Sequence, residues 1–106
     1  MKRIKHNTIE KVENKMRVIE KKMLAAIMNM DYFSNSNTMV KTYNGHSDIY
    51  LHGHHIAEYD NSTNKVNVNV GTLRNWPTVT TKSRLRALGV NVTTKNHVTY
   101  LDGIAI

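Results

Sequence analysis

Apolar side chains recur along the first third of the chain at alternating steps of three and four: Ile9, Val12, Met16, Ile19, Met23, Ala26 and Met30. This is the a/d spacing of a helix that buries one stripe, and it predicts a single long helix over residues 8–30. The run holds no Gly or Pro and is rich in good helix formers. Asn7 suits its cap, with Glu10 three residues on. Glu13 and Glu20 fall at e, Lys15 and Lys22 at g. A parallel pair would set Lys15 against Glu20 of the other chain, whereas an antiparallel pair would oppose like charges. The stripe therefore predicts a homo-oligomer built on Ile9, Val12, Met16, Ile19, Met23 and Met30. Its competing use is packing on the protein's own sheet, because Val18, Leu24, Ile27 and Met28 widen the apolar surface.

After the turn formers of residues 31–37 the period changes to two. Residues 38–43 read as a strand and Asn44-Gly45 as a tight hairpin turn. Residues 48–52 and 55–59 read as two more strands, with Gly53 at the turn between them. Asp60 to Asn64 is a polar loop, and Val66, Val68 and Val70 alternate with Asn67 and Asn69 as a half-buried strand. Residues 72–77 read as irregular. A short helix is expected over 80–88, capped by Thr80 or Thr81 and stopped by Gly89. Two short strands, 90–94 and 97–101, complete an α+β fold: a long N-terminal helix, then a mainly antiparallel sheet with one short helix inserted. Residues 1–30 form a basic arm and helix in this reading, and 38–106 a small β-rich domain.

Charge adds the next constraint. The 106 residues carry 15 Lys and Arg against 8 Asp and Glu, a net charge of +7. Residues 1–30 hold eight basic and three acidic residues, 31–80 three and four, and 81–106 four and one. Such a chain attracts polyanions, so DNA or RNA is one partner class it suggests. No cysteine is present, which removes disulfides and thiolate chemistry and suits a reducing cytoplasm. No apolar run is long enough to span a membrane.

Candidate chemistry is sparse. His46, His52, His54 and His55 crowd together, but Gly53 interrupts the alternation that would align His52 with His54. A two-His site completed by Asp48 or Glu58 is conceivable, yet the spacing does not call for a metal. A histidine-based nuclease would need His52 or His54 brought to Arg84 by the fold. No catalytic residue, metal or cofactor is expected. The richest segment is 76–88, where threonines open a helix carrying Lys82, Arg84 and Arg86. Hydroxyls, cations and free backbone N–H groups at one helix start suit phosphate or acidic side chains. Thr80, Thr81, Lys82, Arg84 and Arg86 are therefore the expected binding residues. The structural alternative has Arg84 paired internally with Asp48, Glu58 or Asp60. Trp76, Leu85 and Leu88 are expected to be buried.

Residues 37–88 resemble a family of small tailed-bacteriophage proteins. The resemblance rests on Asn37, Thr38 and Val40; on Leu51, His52, Gly53, Ile56 and Ala57; and on Trp76, Thr78, Thr80, Thr81, Arg84, Leu85, Ala87 and Leu88. It implies a phage accessory protein acting in the host bacterial cytoplasm and brings no particular activity with it. The expected function is non-enzymatic binding of a host protein or nucleoprotein complex, with inhibition of a defence such as CRISPR interference as the setting. Direct DNA or RNA binding and a small nuclease are the alternatives.

Overall fold

The computed structural model describes residues 16–106. Helix α1 spans Val18–Asn29. The long helix expected over 8–30 is not there: Arg17 is extended (φ −68°, ψ 152°), so the chain enters α1 from a non-helical residue. The cause is local. The Glu20 carboxylate accepts the Arg17 backbone N–H at 3.2 Å, which fixes a helix start at this point. Ile9, Val12 and the Asn7 cap lie outside the described residues. At the other end Met30 takes a left-handed conformation (φ 56°), and the Asp31 N–H closes on the Ala26 carbonyl at 2.8 Å.

Five antiparallel strands follow: β1 (Phe33–Asn35), β2 (Thr38–Tyr43), β3 (His46–Leu51), β4 (His54–Asp60) and β5 (Lys65–Val68). They lie side by side in sequence order. Asn44-Gly45 and His52-Gly53 both have positive φ at each residue, the two-residue hairpin geometry that matches strand twist. Helices α2 (Val70–Asn75) and α3 (Val79–Ala87) come next. A separate sheet of β6 (Val92–Lys95), β7 (Val98–Leu101) and β8 (Ile104–Ala105) ends the chain. The single sheet with one inserted helix is thus replaced by two sheets with two helices between them.

Alternation along β2 and β3 decides which face is covered. Val40, Ile49, Leu51, Ala57 and Tyr59 point under α1, where Met23, Ala26 and Ile27 meet them. Leu73 of α2, Leu85 and Leu88 of α3 and Val92 of β6 join the same core. Polar groups inside it are paired. Ser47 bonds Thr42 Oγ1 (2.8 Å) and donates to Asn61 Oδ1 (3.1 Å), and Asn61 Nδ2 donates to the Ile27 carbonyl (3.0 Å). The last bond ties the end of α1 to the β4–β5 loop.

Candidate functional site

The expected binding helix is the first place to look. Its cap is Thr78, two residues before the first expected cap: Thr78 Oγ1 accepts the Thr81 N–H at 3.1 Å. Thr80 is half-buried and Thr81 buried. The Lys82 ammonium is folded in against Thr94 Oγ1. Arg84 is only 2 % exposed. It does not pair with Asp48, Glu58 or Asp60. Its Nη1 donates to Glu20 Oε2 at 2.7 Å, its Nε to Thr38 Oγ1 at 3.0 Å and its Nη2 to Asn37 Oδ1 at 3.3 Å. Ser83 donates to the same Glu20 oxygen at 2.6 Å. Burial pushes the Glu20 carboxyl up, but the Ser83 and Arg84 hydrogen bonds, the Arg17 N–H and the Arg84 charge outweigh it and hold the carboxyl below its usual range. Glu20 and Arg84 are thus an internal clamp joining α1, α3 and β2. Of the five expected binding residues only Arg86 is exposed, and even its Nε donates to the Val92 carbonyl at 2.9 Å.

The interchain stripe is likewise partly absorbed by the fold. Met23 and Ala26 are buried in the protein's own core, Met16 and Ile19 are half-buried, and Met30 is exposed. Trp76 is not buried: it is 49 % exposed and stacks on the His54 ring, with centroids 4.7 Å apart. Leu85 and Leu88 fill the core place it was expected to share. Trp76→Ala should therefore cost well under the ~3–5 kcal/mol of a buried aromatic, which a urea melt would show.

Two other surfaces concentrate chemistry. The first is a groove between α1, β5 and the α3–β6 turn, enclosing about 1090 Å³. Leu24, Met28, Val66, Val68, Val90 and Leu101 supply its apolar wall. Lys21 and Arg86 stand on its rim as exposed cations, and Asp102 is its one acidic lining residue among the described residues. No local sequence signal marks this groove, because its wall comes from four elements that meet only in the fold.

The second surface is the face of the five-stranded sheet turned away from α1. Register sets Lys41, Asp48, Glu58 and Asn67 in one row across β2 to β5, and Tyr43, His46, Asp60 and Lys65 in the next. His46 Nε2 lies 3.9 Å from Glu58 Oε2, and the His46 ring packs on Tyr43. His55 Nε2 bonds Asp48 Oδ1 at 3.0 Å, and Asn69 Nδ2 donates to His55 Nδ1 at 3.3 Å. With Asn69 Nδ2 donating to Nδ1, Nε2 is the ring nitrogen that donates to Asp48. His46, Asp48 and Glu58 could together hold a metal ion, since their ligand atoms lie within 4.8 Å of one another. His52, on the β3–β4 turn, and His54, the first residue of β4, are not part of this group. Below it, the Ser62 hydroxyl and N–H hold the Asp60 carboxyl under its usual range.

These features define a small α+β protein whose described residues form two sheets, a shared core and an open apolar groove. The chain belongs to the Kyanoviridae Gp96 protein family, whose model matches residues 16–105. The match runs well beyond residues 37–88, taking in α1 and all of the last sheet. No curated protein and no solved structure matches the chain. No helix among the described residues is long and apolar enough to cross a membrane.

Proposed function

We propose that this phage protein works by binding rather than by catalysis, and that it acts on host machinery. Its groove takes an apolar segment of a host protein that also carries acidic side chains. The observation that carries this reading is the groove itself: an apolar wall with Met28 exposed beside two rim cations. Its size exceeds what most small ligands fill and suits a stretch of polypeptide. Lys21 and Arg86 select for acidic residues flanking the apolar anchors, in keeping with a chain of net charge +7. Inhibition of a defence complex such as a CRISPR effector is the setting we put forward.

Direct DNA or RNA binding is the second reading, favoured by Arg17, Lys21 and Lys22, which stand exposed together at the start of α1. A common assay separates the two. Fluorescence anisotropy is followed with a labelled helical peptide of alternating Glu and Leu faces, its Lys/Leu counterpart, and a random 20-base-pair duplex. The Glu/Leu peptide is expected to bind, and Met28→Asp or Lys21→Glu to weaken it by about tenfold or more, equivalent to ~1.4 kcal/mol. Tight duplex binding that falls steeply with salt, with no peptide binding, would replace this reading by the second. Binding of neither probe removes both. Expressed in a host with an active CRISPR effector, the chain should raise the plating of a targeted phage. No rise would discard that setting.

A further inference from the structure

We propose that His46, Asp48 and Glu58 form a binding site for a divalent transition-metal ion of the Zn²⁺ type on the face of the sheet turned away from α1. The site is independent of the groove, whose Val66 and Val68 belong to the opposite face. Asp48 and Glu58 are direct cross-strand partners. Like charges directly opposite on a sheet destabilise it, so this pairing calls for a cation between them. The obvious protein cation does not supply it. Lys41 is the β2 partner of Asp48, but its ammonium lies over the Tyr50 ring, 5.5 Å from the centroid, and makes no ion pair with either carboxylate. What faces the two carboxylates is imidazole: His46 against Glu58 and His55 against Asp48.

The donor set is one nitrogen and two carboxylate oxygens, a mixture that suits borderline ions better than Mg²⁺ or Ca²⁺. A Zn²⁺ ion would draw ligand atoms now within 4.8 Å to about 3.4 Å apart. The carboxylate is also held from behind. Asp48 Oδ1 accepts a hydrogen bond from His55 Nε2, which leaves its other oxygen without that bond. His55 is in turn held by Asn69, whose own Oδ1 caps α2 through the Thr72 N–H at 3.1 Å. Such outer partners orient metal ligands and sharpen affinity. Three protein ligands on a half-exposed sheet leave the remaining positions to water.

Titration calorimetry of the full chain with ZnCl2, after chelator treatment, tests the site. One ion per chain is expected. Glu58→Gln and His46→Gln, both on half-exposed residues, should each weaken binding about 10- to 100-fold. His52→Gln and His54→Gln should leave it unchanged. Zn²⁺ should also raise the melting temperature of the wild type and not of Glu58→Gln. Absence of uptake, or equal loss in the His52 and His54 variants, would overturn the assignment. Circular dichroism of each variant distinguishes a lost ligand from a lost fold.

Discussion

Arg84→Ala is expected to destabilise the protein by about 3–5 kcal/mol, because it leaves Glu20 buried without its charge partner. Glu20→Ala should do comparable damage from the other side. Replacing both by Met should recover most of the loss, since a buried ion pair often contributes little more than a well-packed apolar pair. The same clamp sets an acid limit. Because the folded Glu20 carboxyl titrates below its ordinary value of 4.5, its stabilisation is present above that value and is lost as pH falls through and below it. Urea melts across pH 3 to pH 7 should therefore show a fall in stability on the acid side that is smaller in Glu20→Gln. Equal stability of Arg84→Ala and wild type at pH 7 would show that the pair is not buried as described.

Met23→Ala should cost about 2–5 kcal/mol, the range for truncating a fully buried side chain. Met23 is wholly enclosed by the sheet beneath α1. The heptad reading made it a contact between chains, where its loss would change association before it changed folding. Denaturant unfolding and light scattering on the same samples separate these outcomes. A lower unfolding midpoint with unchanged mass fits a core residue, and a lower mass with unchanged midpoint fits an interchain seam.

Local signals were legible where geometry is local. Asn44-Gly45 marks its hairpin because both residues tolerate positive φ, and the inward alternation of Val40 and of Ile49 with Leu51 follows directly. The same signal, Asp102-Gly103, turns the chain into β8. Residues 66–70, by contrast, misled. Their Val/Asn alternation continues to Val70, yet Asn69 Oδ1 captures the Thr72 N–H and turns the chain into α2.

The site was least legible where partners are far apart. Glu20 reads as an exposed e-position residue, and Arg84 as a free cation, until the fold brings together side chains 64 positions apart. Hydroxyls and cations on α3 carry no mark of whether they face solvent or a carboxylate. Size alone likewise placed Trp76 in the core, whereas Leu85 and Leu88 filled it and left the indole to stack on His54. Of the sheet-face chemistry, His46, Asp48 and Glu58 were each visible as residues. Their convergence depends on the β3–β4 register, which the sequence did not specify.

Two-dimensional ¹⁵N NMR of the full chain, titrated with the Glu/Leu peptide, tests the proposed binding surface most directly. The account predicts shifts concentrated at Lys21, Leu24, Met28, Val66, Val68 and Val90, with the amides of Thr80, Thr81 and Lys82 unmoved. Shifts centred on residues 78–84, or none at saturating peptide, would contradict it.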